Sequence, residues 1–259
     1  ADISESVGAL SLQGPQSRQI LEALGGLPSL KYFRRAETKL RGIPVSVSRT
    51  GYTGDLGYEI WVPRDNALAL WDALMDVGRA NGIMPAGMLA LDMARIEAGL
   101  MLLDVDYVSA RKALVESQTS SPLELDLAWT VHLDKEQFVG KAALAAEAGR
   151  KPQWQFVGIE LDWDSLERLH AQVGLAPRVP SAAWRASVPL YASGGQVGYA
   201  TSGVWSPLLK KYIALAHVRS RWAAPGTALE MEITVEHRRR RAAARVVKKP
   251  FFDPERKRA

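Results

Sequence analysis

The sequence predicts an α+β fold in two parts, a mixed α/β domain over residues 1–149 and a small antiparallel β-barrel domain over residues 150–259. Three observations carry that expectation. Strands and helices alternate through the first half, yet Glu37 to Ser48 reads as a β-hairpin, which requires antiparallel pairing and argues against a doubly wound parallel sheet. Near Gly149 to Pro152 the pattern changes to strand after strand, punctuated by glycine and proline turns. Of the 259 residues, 47% are hydrophobic and 24% charged, which is ample apolar material for one large core or two modest ones.

Taken in order, Val7 to Leu12 is a short apolar strand, and Gly14-Pro15 opens a helix over Gln16 to Leu24 that Gly25-Gly26 stops. Glu37 to Leu40 and Val45 to Ser48 flank a turn at Gly42-Ile43-Pro44. Val45 and Val47 alternate with Ser46 and Ser48, the period of a strand. Arg49 to Gly57 is a turn-rich loop holding three glycines, and Tyr58 to Val62 is the strand that follows it. Pro63-Arg64-Asp65 is expected to cap a long helix with Leu68, Trp71, Leu74 and Met75 on one face, ended by Asn81-Gly82. Met88 to Ala98 is a further helix stopped by Gly99, and Lys141 to Ala148 is a short one. Beyond it Val157, Ile159, Leu161 and Trp163 alternate with Gly158, Glu160 and Asp162. Val188 to Tyr191, Val197 to Thr201, Tyr212 to Val218 and Ala228 to Val235 continue the strands, with turns at Gly194-Gly195, Ser206-Pro207 and Pro225-Gly226. Asp164 to Ala186 interrupts them with a mixed stretch. His237 to Arg241 reads as a hairpin tip running into a strand.

Composition excludes several chemistries. There are no cysteines, so disulfides, thiolate zinc sites and cysteine nucleophiles are ruled out, and a reducing, cytoplasmic setting is expected. No apolar run approaches the ~20 residues that cross a bilayer, so no membrane association is expected. His132, His170, His217 and His237 include no pair at i,i+3 or i,i+4, so no metal site is expected, and no G-x-S-x-G elbow is present. His217 falls in a strand and is expected to be packed. The net charge is +5, and much of it gathers in Arg238 to Arg241, Arg245, Lys248, Lys249 and Arg256 to Arg258. Such a run can meet an anionic partner or form a solvated turn. No aromatics interleave it, so a nucleic-acid partner is not expected.

Two stretches could carry chemistry. Ser48 to Ile60, reading SRTGYTGDLGYEI, has the glycine density that lets backbone approach a ligand, but not the spacing or following helix of a phosphate-binding loop. It delivers a strand on which Glu59 shares a face with Trp61, while Tyr58 and Ile60 share the other. A carboxylate beside a tryptophan suits a flat heterocycle bearing N–H donors; the alternative is a solvated glutamate on an edge strand. In Leu91 to Gly99, reading LDMARIEAG, Arg95 could hold a carboxylate through its two-pronged guanidinium; the alternative is an i,i+3 ion pair with Asp92.

Together these stretches resemble the T-protein (aminomethyltransferase) family of the glycine-cleavage system. Leu10 to Pro15 is similar to its LALQGP turn, Arg49 to Ile60 to R-x-GYTGE-x-G-x-EI, and Leu91 to Gly99 to ARD-x-LRLEAG. Val197 to Pro207 is similar to G-x-VTSG…SP, and Lys248 to Phe251 to the closing K-x-PF. The resemblance implies a tetrahydrofolate-dependent transferase that moves an aminomethyl or methyl unit from an amine-type donor, with or without a carrier protein, to N5 of tetrahydrofolate. It places Glu59 on the pterin ring with Tyr58 beside it, and Arg95 on the folate tail. The family's key aspartate lies upstream of the LQGP stretch, so the catalytic residue is unknown here. The first domain is expected to lack its N-terminal part, and the fragment alone to be inactive. Leu100 to Tyr107 departs from the family where a tyrosine is usual, and the tail Phe252 to Arg256 resembles the folate-binding halves of dimethylglycine- and sarcosine-oxidising flavoproteins. Such a half, or a non-enzymatic nucleic-acid-binding relative, is the alternative.

Overall fold

A computed structural model describes residues 1–258, which divide into two compact units, Ala1–Ala98 with the C-terminal segment from Phe252, and Gly99–Phe251. The expected boundary near Gly149 falls inside the second unit. The tail from Phe252 returns to the first unit, which no local pattern in the sequence marks.

In the first unit the strands are β1 (Val7–Gln13), β2 (Arg35–Leu40), β3 (Ile43–Ser48) and β4 (Gly57–Pro63), arranged β1-β4-β3-β2 with every pair antiparallel. The expected hairpin is β2–β3. Alternation along β4 buries Tyr58, Ile60 and Val62 and leaves Glu59 half-buried and Trp61 exposed, as the period of two requires. The buried face carries α1 (Ser17–Ala23) and α2 (Ala67–Gly78), with α3 (Met88–Glu97) completing the unit. Leu12, Leu21, Leu40, Val47, Tyr58, Ile60 and Leu70 form its core, and each such side chain contributes roughly 1.5–3 kcal/mol on burial.

Two details of α2 differ from expectation. No side chain caps it; Arg64–Asn66 form a 3-10 turn that leads straight into the helix. Its buried residues are Leu70, Leu74 and Gly78, whereas Leu68 is 70% exposed and Trp71 40%. The sheet lies under the stripe containing Leu70 and Leu74, so Leu68 and Trp71 face away from the core.

The second unit is a closed six-stranded barrel. Its strands are β5 (Trp154–Leu161), β6 (Val188–Ala192), β7 (Gly195–Ser206), β8 (Lys211–Arg219), β9 (Ala228–Val235) and β10 (Arg238–Val247), in the order β10-β5-β8-β7-β6-β9. α4 (Lys141–Arg150) precedes it. The mixed stretch after β5 begins with α5 (Trp163–Ala171), so Trp163 opens a helix and does not continue the strand. Asp162 ends the strand because its side chain caps the helix, accepting the Ser165 N–H at 2.7 Å.

Candidate functional site

The glycine-rich loop is built around one side chain. Gln13, at the end of β1, is the cross-strand partner of Gly57. Its Nε2 lies 3.0 Å from Ser11 Oγ and 3.3 Å from the carbonyl oxygens of both Thr50 and Tyr58, while its Oε1 accepts from the Thr53 hydroxyl at 3.2 Å. A Cβ on Gly51 would sit 2.0 Å from Gln13 Oε1, and one on Gly57 1.8 Å. The two glycines are therefore the walls of a slot that only a residue without a side chain can form.

The same loop is tied to the end of the chain. Arg256 meets Asp55 through two parallel contacts of 2.7 Å, a two-pronged pair. Asp55 holds the Arg256 guanidinium above its ordinary pKa. Arg49 is 3% exposed and donates to the carbonyls of Leu30 and Lys257, each at 3.2 Å. The Phe252 N–H donates to the Glu97 carbonyl at 2.8 Å. Arg49 and Asp55 thus have a structural role that the loop's sequence does not announce, because their partners lie at the far end of the chain.

With the loop fixed, Glu59 presents its carboxylate on the outer sheet face. Its register partners there are Ser11 on β1 and Ser48 on β3. Thr50 donates its hydroxyl proton to Glu59 Oε2, and Thr50 Oγ1 lies 2.7 Å from Ser48 Oγ. Trp61, two residues along on the same face, is 48% exposed. The arrangement offers an oriented acceptor beside an aromatic surface.

The other two expected site residues are placed differently. Tyr58 is 1% exposed, and its hydroxyl accepts from Arg18 Nε at 3.2 Å; it packs beneath the sheet and presents no surface to a ligand. Arg95 is 0% exposed and lies 2.9 Å from Asp92 Oδ1. The i,i+3 pair is therefore present, and it is a buried pair, not a surface one.

The first unit also contains a cavity of about 630 Å³ walled by β1, the turn into α1, α2, the 81–86 loop and α3. Trp71 and Met75 line it together with the core residue Leu74, which accounts for the apolar side chains that α2 places beside the core stripe. None of Glu59, Arg95 or Tyr58 lines it.

In the barrel unit, Asp106 is a buried carboxylate accepting from the Thr201 and Ser202 hydroxyls and, at 2.8 Å, from the Leu102 N–H. His217 is buried as expected. Its Nε2 is 2.6 Å from the Asp106 carbonyl, so that nitrogen carries the proton, and the ring stacks on Tyr199. Burial pushes the His217 pKa down, against a smaller upward pull from Asp106 and Glu124. The basic run forms the β9–β10 hairpin as expected, and much of its charge is paired. Arg239 meets Glu232 and Arg241 meets Glu230, each at 3.6 Å, and Arg245 meets Glu160. No helix among the described residues is long and apolar enough to cross a membrane.

Residues 1–135 match the family model described as the GCVT N-terminal domain, and residues 170–253 match that of the glycine cleavage T-protein C-terminal barrel domain. The chain belongs to the glycine-cleavage T-protein family. Among curated T-protein relatives, an aminomethyltransferase of Halothermothrix orenii is 36% identical over 251 residues, covering 96% of this chain and 62% of its own length. One from a Geobacillus species is 31% identical over 255 residues, covering 97% and 62%. The crystal structure of the glycine cleavage system aminomethyltransferase T from Bartonella henselae superposes with a TM-score of 0.75 at 27% identity, covering 95% of this chain and 60% of that one. The chain therefore spans about three fifths of the length of these relatives.

Proposed function

We propose that this chain supplies the tetrahydrofolate-binding part of an aminomethyltransferase, one that moves a one-carbon unit from an amine-type donor, held on a carrier protein, to N5 of tetrahydrofolate in the cytoplasm. The observation that carries the reading is the Glu59 carboxylate, oriented by Thr50 on an open sheet face beside Trp61. A carboxylate only accepts hydrogen bonds, and the pterin edge offers paired N–H donors, so the chemistry of this group fits the ring. Tetrahydrofolate, when bound, supplies the nucleophilic nitrogen. The protein's own residues would bind and orient it, and carboxylates would stabilise cationic character near the reacting carbon. Arg95 is assigned to the folate tail on the family motif. Its burial against Asp92 makes it first of all a support for the end of α3, and Tyr58, assigned beside the pterin by the same motif, packs beneath the sheet against Arg18.

The relatives' name favours a transferase over an amine-oxidising flavoprotein half. The cross-strand pairing of Arg239, Arg241 and Arg245 leaves less free positive charge for a nucleic acid than the sequence implied. The test is calorimetric titration of tetrahydrofolate into this chain and into Glu59→Ala. Saturable binding, weakened at least tenfold in the variant, is expected from the loss of a hydrogen bond to a charged acceptor, about 1.5–3 kcal/mol. Equal affinity in both proteins would refute the assignment.

A further inference from the structure

We propose that Thr50, backed by Ser48, is a positioning residue that selects the one orientation in which Glu59 can read paired N–H donors on a ligand edge. The ligand class rests on the folate reading above; the positioning itself rests only on geometry.

Hydroxyl bookkeeping gives the chain of bonds a direction. Thr50 has one hydroxyl proton, and the Glu59 carboxylate has none to give. The bond between them is therefore donated by Thr50 to Oε2. The Thr50 oxygen is then an acceptor in its 2.7 Å contact with Ser48, so Ser48 is the donor there. Ser48 Oγ also lies 3.4 Å from the Glu59 carbonyl, and its single proton goes to the shorter contact. The relay runs from Ser48 to Thr50 to Glu59 and ends on one carboxylate oxygen. Oε2 thereby accepts one fixed bond and keeps a second lone pair, and Oε1 keeps both, so the aimed carboxylate can still take a pair of N–H donors.

The donor and the carboxylate are also held by a common anchor. The Gln13 amide is within 3.3 Å of the carbonyl of Thr50 and of the carbonyl of Tyr58, the residue before Glu59. Thr50 and the Glu59 strand therefore cannot drift apart without breaking contacts to the same side chain. A glutamate on an open sheet face would otherwise lose rotamer freedom on binding, and fixing it beforehand removes that cost from the association. The glycines of the loop make the Gln13 slot, the slot holds Thr50, and Thr50 aims the carboxylate.

The experiment compares tetrahydrofolate affinity of the full chain with that of Thr50→Val, Thr50→Ser, Ser48→Ala, Glu59→Gln and the Thr50→Val/Glu59→Gln pair. Thr50→Val keeps the shape and removes the hydroxyl, and should weaken binding roughly tenfold with an unchanged melting temperature. Thr50→Ser should restore most of it, and Ser48→Ala should cost roughly twofold to threefold, because it loosens the carboxylate through Thr50 only. In the Glu59→Gln background Thr50→Val should have no further effect, since the carboxylate it would aim is gone. Equal binding by Thr50→Val and Thr50→Ser, or an undiminished Thr50→Val effect beside Glu59→Gln, overturns the proposal. If wild type and Glu59→Gln bind alike, or neither binds, the folate reading falls instead. Crystal structures of the two Thr50 variants then decide the positioning: Glu59 should keep its rotamer in Thr50→Ser and leave it in Thr50→Val. An unmoved Glu59 in both refutes it.

Discussion

Replacing Gly57 with alanine tests whether the loop is built around Gln13. The new Cβ would lie 1.8 Å from Gln13 Oε1 and 2.3 Å from its Cδ, so the amide must swing out of its slot. The amide has two N–H protons for three acceptors, Ser11 Oγ and the carbonyls of Thr50 and Tyr58, and it accepts one further bond from Thr53. At most three hydrogen bonds are therefore lost, roughly 3 kcal/mol at about 1 kcal/mol each. Alanine recovers some 0.5–1 kcal/mol over glycine in a strand, which leaves a net loss of about 2 kcal/mol. For a chain of this size that corresponds to a melting temperature lower by roughly 4–8 °C. The assay is thermal unfolding of four proteins: wild type, Gly57→Ala, Gln13→Ala and the double variant. With Gln13 truncated the space is open, so Gly57→Ala should become stabilising, by about 0.5–1 kcal/mol. A loss of equal size in both backgrounds would show that Gln13 is not what the glycine accommodates, and the slot argument would fail. Gly149 in α4 meets nothing within 4 Å, and Gly149→Ala serves as the control, with an expected gain of about 0.5–1 kcal/mol.

Two other outcomes follow from buried charge. Arg95→Ala leaves Asp92 buried beside an empty space and should destabilise the chain by about 3–5 kcal/mol, with Asp92→Ala/Arg95→Ala costing less than that single change; a melting temperature unmoved by Arg95→Ala would contradict the buried-pair description. His217 is held below its ordinary pKa of 6.5, so as pH falls through that value the unfolded chain takes up the proton first. Stability should therefore be level above pH 6.5 and decline beneath it until the lower folded pKa is passed. His217→Gln, which does not titrate, should flatten that decline in melting temperature, and an identical pH profile would remove His217 as its source.

Much of the architecture is legible in local pattern. The alternation at Val45 to Ser48 is β3, and Ala228 to Val235 is β9 with the bounds the sequence implies. The face shared by Glu59 and Trp61 follows from the period of a strand, whatever that strand packs against. Trp163 lies outside the strand that alternation predicts, because the alternating run continues into a helix whose start is set by a hydrogen bond from the Ser165 N–H to Asp162, a cap that alternation does not register.

What the sequence by itself determined is therefore most of the elements, their antiparallel sense, the two-part plan and the motif that marks the family, since all of these are written in spacings of two to four residues or in short runs. Only the tertiary structure decided which stripe of α2 is core, that Arg95 is buried, that Tyr58 packs beneath the sheet against Arg18, and that Thr50 donates to Glu59 while Gln13 holds the carbonyls of Thr50 and Tyr58. It also decided that the tail returns to the first unit, through an Arg256–Asp55 pair 201 residues apart, and that Asp106 receives bonds from Thr201 and Ser202, 95 and 96 residues away. The physical reason is the same in each case: periodicity fixes the direction in which a side chain points, but its partner is chosen by chain segments far along the sequence that folding brings to the same place.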